Sequence, residues 1–254
     1  MDKSSLNVGL FVTCLVDAIR PNIAFASIKL LESAGCRVDV PEMQTCCGQP
    51  GFNNGDNNTT RDIAKQVIEA FEKYDYLVVP SGSCLGMIKV HYPELFQDDP
   101  VYLEKANQLS NKSHEIISFL TDILDVEIEQ SFNASVTYHD SCSGLRELNI
   151  KSQPRQLLNK VSDLELVEME DTDICCGFGG TFCVKYPDIS TSLVSDKVKN
   201  ISDTKADVLL AGDLGCLMNI AGRCSRLNKP VRCYHTVEVL AGMADVPAIG
   251  EKQK

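Results

Sequence analysis

The 254-residue chain carries a formal net charge of −11, and 44% of its residues are hydrophobic. The negative charge argues against nucleic acid and anionic membranes as partners, because both attract basic proteins. No apolar stretch is long enough to span a bilayer, and the N-terminus lacks a signal-peptide cleavage site. We therefore expect a cytoplasmic protein without a transmembrane segment. In that reducing compartment its twelve cysteines are expected to bind metal or act in catalysis rather than form disulfides.

The first half of the chain alternates between short apolar runs, which are typical of buried strands, and longer segments with an apolar residue every three or four positions, which are typical of helices. Strands are predicted over residues 7–13, 37–41 and 76–80. Helices are predicted over residues 21–35, 60–74 and 113–124.

The same alternation starts again in the second half. Strands are predicted over residues 135–139, 164–169, 206–211 and 231–234. Helices are predicted over residues 154–161, 190–201 and 236–241. This repeat predicts an α/β fold with two similar halves, residues 1–125 and 126–254, each with a parallel sheet and crossover helices.

A pair of adjacent cysteines followed by glycine occurs in each half. The first copy is Cys46-Cys47-Gly48 and the second is Cys175-Cys176-Gly177. A further cysteine lies on each side of both pairs. In the first half, 31 residues separate Cys14 from the pair and 36 separate the pair from Cys84. In the second half, 32 residues separate Cys142 from the pair and 39 separate the pair from Cys216. Each of these cysteines follows a predicted strand, and ligands of parallel sheets bind beyond the carboxyl ends of strands.

Four thiolates in each half match the number that a [4Fe–4S] cluster or a structural zinc ion needs. The glycines allow the backbone to approach such a centre closely, and their amides can donate hydrogen bonds to sulfur. We predict that the eight repeated cysteines bind the cofactor and its metal. They are Cys14, Cys46, Cys47 and Cys84 in the first half and Cys142, Cys175, Cys176 and Cys216 in the second.

The remaining cysteines lie outside the repeat. Cys36, Cys224 and Cys233 have no equivalent in the other half, and we interpret them as small buried hydrophobic residues. Cys183, seven residues after Cys176, is either a spare ligand or a core residue.

Six segments of the chain resemble a known family, the cysteine-rich "CCG" domain. This domain occurs in tandem in the cysteine-rich subunit of heterodisulfide reductase and in the iron–sulfur subunits of glycolate- and glycerol-3-phosphate-oxidising enzymes. Within this family the chain is most similar to the lactate-utilisation proteins. The segments are FVTCL at 11–15, QTCCGQP at 44–50, PSGSC at 80–84, YHDSC at 138–142, CCGFGGTF at 175–182 and GCLMNI at 215–220.

The resemblance implies an iron–sulfur electron-transfer subunit of a complex that oxidises L-lactate to pyruvate. It also implies a cluster, of the 4Fe–4S type, and partners that include a ferredoxin-like iron–sulfur protein among the other subunits. The sequence departs from the fuller family pattern, which ends each half in Cys-x-x-Cys. Met87 and Asn219 stand at the final positions, and Ser143 stands where much of the family has histidine.

Two other functions stay open from the residues alone. Zinc in one half or in both would give a structural or docking module without redox chemistry. Adjacent thiols would also suit thiol–disulfide chemistry of the heterodisulfide reductase kind.

Four charged or titratable residues near the second set of cysteines have two interpretations each. His139 and Asp140, just before Cys142, would donate hydrogen bonds or move a proton near the cluster, or serve the structure alone. Arg146 and Lys185 would neutralise cluster charge or bind a carboxylate, or form ordinary surface ion pairs.

Overall fold

In the computed structural model the chain divides into two units, Met1–Val126 and Glu127–Lys254. The structure describes residues 6–251; residues 1–5, part of the N-terminus for which no signal peptide is predicted, lie outside that range. Each unit contains a four-stranded sheet in which every strand pair is parallel, with helices between successive strands. The prediction of an α/β fold with two similar halves is confirmed.

The first unit has the strand order β2-β1-β3-β4. Its strands are β1 (Asn7–Leu10), β2 (Arg37–Asp39), β3 (Tyr76–Val79) and β4 (Ser113–Glu115). Its helices are α1 (Cys14–Ile19), α2 (Asn22–Ser33), α3 (Gln49–Asn53), α4 (Asn57–Phe71), α5 (Gly82–Gly86), α6 (Tyr92–Leu95), α7 (Pro100–Asn111) and α8 (Ile116–Ser118), with π-helical turns at Met87–His91 and Phe119–Ile123.

The second unit repeats this order as β6-β5-β7-β8. Its strands are β5 (Ser131–His139), β6 (Ser162–Leu166), β7 (Val208–Ala211) and β8 (Arg232–His235). Its helices are α9 (Cys142–Arg146), α10 (Ser152–Leu158), α11 (Phe182–Lys185), α12 (Pro187–Asp203), α13 (Leu214–Arg226) and α14 (Thr236–Leu240).

The central strands form the core of each unit because they are apolar on both faces. All four residues of β7 are buried, as are three of the four in β1 and in β3. Both faces of these sheets are therefore covered, as in other parallel sheets. Among residues 6–251, no helix is both long enough and apolar enough to cross a membrane.

Several helices, α7 among them, were not predicted, and two further differences show why a sequence pattern can mislead. The single helix expected over residues 113–124 is wrong at its start, because Ser113–Glu115 pairs with β3 as β4. This edge strand has no apolar pattern: the Ser113 hydroxyl donates to Leu109 O at 2.6 Å, and the Glu115 carboxylate accepts from the Ile117 amide at 2.8 Å. Local hydrogen bonds thus satisfy the polar side chains of this strand, whose sequence lacks the apolar pattern by which strands are recognised. The prediction also lacked α13, although its apolar face has helical spacing.

A buried ion pair ties the end of β5 to α10. The Asp140 carboxylate has no exposed side-chain surface and accepts two hydrogen bonds from the Arg155 guanidinium, at 2.6 and 2.9 Å. Arg155 also binds Glu168 at 2.7 and 2.9 Å, and its guanidinium lies 5.0 Å from the centre of the Tyr138 ring. The charge of the buried Asp140 carboxylate is therefore compensated directly by this guanidinium.

Replacing Arg155 with methionine should destabilise the second unit strongly. The substitution leaves the buried Asp140 carboxylate without its cation, which typically costs about 3–5 kcal/mol of unfolding free energy. Denaturant unfolding measures the loss. As a control, Lys160→Met removes an ion pair to Glu127, whose side chain is 78% exposed, and should cost at most about 1 kcal/mol. Equal losses in the two variants would contradict the structural role of the buried pair.

Candidate metal centre

The first and last cysteines of each set lie just beyond the central strands, at or near the start of the helix that follows. Cys14 is the first residue of α1, and Cys84 lies in α5, which follows β3. Each helix has a capping side chain, since Thr13 accepts from the Val16 amide and Ser81 from the Cys84 amide. Strand and cap together fix where each of these cysteines leaves the sheet.

The second unit uses the same plan. Cys142 begins α9, which is capped by Ser141, and Cys216 lies in the first turn of α13, which is capped by Asp213. The adjacent pairs reach the same edges from the segments that follow β2 and β6.

The four thiols of the first unit converge at one end of its sheet. The sulfur of Cys14 lies 3.9 Å from that of Cys46. The Cys46 and Cys84 thiols lie close enough to Cys47 to raise its pKa. Cys47 is buried, whereas Cys14 is exposed, so the group extends from the interior to the surface.

The second unit brings its four predicted cysteines together in the same way. The sulfurs of Cys176 and Cys216 lie 3.0 Å apart, and both residues are buried. The Cys142 and Cys176 thiols lie close enough to Cys175 to lower its pKa, so all four cysteines of the set are neighbours.

Peptide N–H groups point at the paired cysteines. The Gly48 amide lies 3.4 Å from Cys46 Sγ, and the Gly177 amide lies 3.3 Å from Cys175 Sγ. Both glycines have a positive φ, 84° and 76°, a conformation that other residues adopt only at a cost. The Phe178 amide makes a further contact of 3.5 Å with Cys176 Sγ. Such donors stabilise negative charge on sulfur.

The thiols share their protons unequally. Hydrogen bonds from Cys14 and Cys47 hold the pKa of Cys46 well below its ordinary value. Equivalent bonds from its two neighbouring thiols lower the pKa of Cys175. The second thiol of each pair has a raised pKa because it donates to the first and is buried. The first thiol of each pair therefore loses its proton more readily than the second, and a bound cation would require the thiols that hold it to ionise.

A side-chain hydrogen bond holds the carbonyl of the second paired cysteine in each unit. Tyr92 donates its hydroxyl to Cys47 O at 2.9 Å, and Asn219 donates its amide to Cys176 O at 2.7 Å. Asn219 stands where the fuller family pattern has a final cysteine, and here it supports the pair. Met87, at the corresponding position of the first unit, is a buried core residue.

Two buried polar residues distinguish the second unit. His139 is fully buried, and a ring nitrogen lies within 4.8 Å of the sulfurs of Cys176 and Cys216. Burial lowers the pKa of this imidazole to about 3. Lys197 is also fully buried and donates to two loop carbonyls, Asp171 O and Thr172 O, each at 3.0 Å. It thereby anchors the segment that leads into the cysteine pair.

Sequence reasoning missed Lys197, although a signal exists. It lies on the buried face of α12, one residue before buried Val198 and three after buried Val194. A lysine at such a position must find carbonyl or carboxylate partners inside the protein. Its role is therefore readable from the helical period once α12 is recognised.

The other candidates have ordinary partners. Asp140 pairs with Arg155, and Arg146 donates to Asp173 O at 3.4 Å. The Cys183 thiol donates to Gly180 O, with 3.8 Å between sulfur and oxygen. The three cysteines outside the repeat are buried, as predicted; they are Cys36, Cys224 and Cys233.

The donor chemistry of the two sets fits a metal or an iron–sulfur centre. All eight predicted ligands are soft sulfur donors, which favour iron–sulfur clusters or zinc over magnesium or calcium. The amides that point at them also compensate thiolate charge, as hydrogen-bond donors around metal ligands commonly do. The thiols are thus already gathered, and the backbone around them is shaped for anionic sulfur.

The comparisons with known proteins agree with this description. The model of the CCG family, described as "Cysteine-rich domain", matches residues 8–89 and 136–221, one match in each unit. The class of protein is therefore a tandem cysteine-rich domain protein.

Curated relatives narrow the class. Lactate utilization protein A of Halalkalibacterium halodurans is 46% identical over 92% of this chain and 96% of its own length. The protein of that name from Oceanobacillus iheyensis is 44% identical over the same shares. The chain belongs to the lactate utilization protein A family.

A solved structure shares the fold. The crystal structure of a hypothetical protein from Helicobacter pylori matches with a TM-score of 0.67 at 13% identity. The match covers 99% of this chain and 51% of that one, so the present chain spans about half the length of that protein.

Replacing Gly177 with alanine should lower the free energy of unfolding by more than the strain of its positive φ alone would cause. The new Cβ would lie 2.7 Å from the backbone oxygen of Ser190, in addition to the strain of φ +76°. Gly55 has the same φ with nothing within 4 Å, so Gly55→Ala isolates the angular cost, about 1–2 kcal/mol of unfolding free energy. Denaturant unfolding compares the two variants. A Gly177→Ala loss no larger than that of Gly55→Ala would contradict the close approach.

Proposed function

We propose that the protein is a cytoplasmic iron–sulfur electron-transfer subunit of a complex that oxidises L-lactate to pyruvate. The observation that carries the proposal is the convergence of four thiols in each unit of a chain 46% identical to lactate utilization protein A. The eight cysteines would hold the centres, one set in each half, residues 1–125 and 126–254.

Each residue group has a defined task in this proposal. A bound iron–sulfur cluster supplies one-electron redox chemistry. The cysteine thiolates hold it, and the amides of Gly48 and Gly177 donate to sulfur, which stabilises added negative charge. The buried thiols Cys47 and Cys176 keep the inner side of each centre away from water. The exposed thiol Cys14 marks the side from which electrons would leave the first unit.

A surface groove beside Cys14 and Cys46 supports a role in electron exchange with a partner. The groove is lined by Phe25, whose side chain is 61% exposed, together with Asp17 and Glu42. An exposed aromatic residue with an acidic rim is typical of a protein docking surface that prefers a basic partner surface. We propose the ferredoxin-like iron–sulfur subunit of the complex as the protein that docks there.

Zinc is the second candidate, and one observation favours it in the second unit alone. His139 adds a nitrogen donor close to two cysteines there, and mixed nitrogen and sulfur donors are typical of structural zinc sites. In that case the second unit would organise the complex and only the first would carry electrons.

Metal analysis tests the proposal directly. The chain purified without oxygen should contain iron and inorganic sulfide, and Cys175→Ser should lose about half of that iron because one of two sets is disabled. Iron and sulfide assays and EPR after reduction provide the measurements. Cys233→Ser, which alters a buried cysteine outside the repeat, should keep the full iron content. Zinc in both units without an EPR signal would exclude the electron-transfer role.

Charge placed in the groove should weaken docking without affecting the metal. We expect Phe25→Asp to weaken binding of the ferredoxin-like subunit roughly ten-fold, about 1.4 kcal/mol, as measured by calorimetry. Val101→Asp provides the control, because Val101 is 66% exposed and lies on α7, outside the groove. Iron content should be unchanged in both variants. Equal binding by the two variants would rule out this docking surface.

A further inference from the structure

We propose that His139 is a nitrogen ligand of the metal centre in the second unit, bound alongside the thiolates of Cys176 and Cys216. The inference rests on the proposed function to the extent that a metal centre forms there. It adds a donor that the cysteine pattern does not contain, and it makes the two centres of the chain chemically different.

The first support is the state of the imidazole. His139 is fully buried, and among residues 6–251 neither ring nitrogen has a hydrogen-bond partner. A buried polar atom without a partner typically costs about 1–3 kcal/mol, so native proteins seldom leave one in this state. A bond from one ring nitrogen to a metal would compensate part of that cost.

The second support is the position of the ring. A nitrogen of His139 and the sulfurs of Cys176 and Cys216 all lie within 4.8 Å of one another. His139 ends β5, and its backbone pairs with Ala211 of β7. The pairing with β6 ends at Val136, so β7 alone holds the backbone of His139 within the sheet. The nitrogen is therefore held beside the two most buried sulfurs of the set, the geometry that a ligand requires.

The third support is the contrast between the units. The equivalent position of the first unit, three residues before its first cysteine, is Phe11. Phe11 is fully buried and packs against the ring of Phe71 at 5.7 Å. The fold thus accommodates an apolar ring here without difficulty, and a histidine at this position is not required for packing. Its presence beside sulfur in one unit alone indicates a chemical task.

Pulsed EPR of the reduced, iron-loaded full chain tests the ligand. Protein grown with ¹⁵N-histidine should show a strongly coupled nitrogen whose spectrum differs from that of unlabelled protein. His139→Phe, which copies the residue of the first unit, should lose this coupling. His139→Gln should lose it as well, and this variant preserves a polar side chain if phenylalanine perturbs folding. Circular dichroism confirms that each variant is folded.

The control is another buried histidine of the same unit. His235 ends β8 and caps α14 through its ring. His235→Asn should retain the strongly coupled nitrogen. In a chain whose iron and sulfide content accounts for both centres, absence of the coupling in the wild type, only weak coupling, or its persistence in both His139 variants would overturn the inference. These outcomes differ from failure of the proposed function, which would appear as a chain without iron and sulfide.

Discussion

If the four thiols at the edge of one parallel sheet all ionise, their mutual repulsion costs free energy unless a cation compensates their charge. Ionised thiols at such distances repel one another, and hydrogen bonds from neighbouring thiols lower the pKa of one cysteine in each set, Cys46 and Cys175. The rest of the fold must therefore hold the sulfur atoms close together. It does so with central strands covered on both faces, with capping side chains, and with glycine amides directed at sulfur.

The sequence was informative wherever a feature depends on a repeated local pattern. Central strands such as β3 and β7 are apolar runs because both of their faces are buried, and this made them visible. The cysteine spacings repeat because the same strand ends carry them in both halves. The edge strand β4 was missed because its polar side chains are satisfied by hydrogen bonds within its own segment. Helix α13 was missed although its apolar spacing was readable.

In the candidate site, too, some features follow from local sequence patterns and others do not. Its sulfur atoms were predictable from spacing, whereas the groups that support them depend on contacts distant in sequence. Lys197 donates to the carbonyls of Asp171 and Thr172; its place on the buried face of α12 indicates that it needs such partners, but not which carbonyls they are. For His139, the sequence left a structural and a chemical interpretation open. Burial without hydrogen-bond partners among the described residues favours the chemical interpretation, and only a three-dimensional structure provides that observation.

The bonds that Tyr92 and Asn219 donate to the paired cysteines have a consequence for how such domains diverge. The two donors differ in chemistry and belong to different helices, α6 and α13, yet each orients the same carbonyl. The two halves therefore have in common a hydrogen bond that orients this carbonyl, although the donor residue differs. A cysteine loop transplanted from one half into the other would arrive without its anchor, so an engineered chimera must exchange the loop together with the helix that holds it.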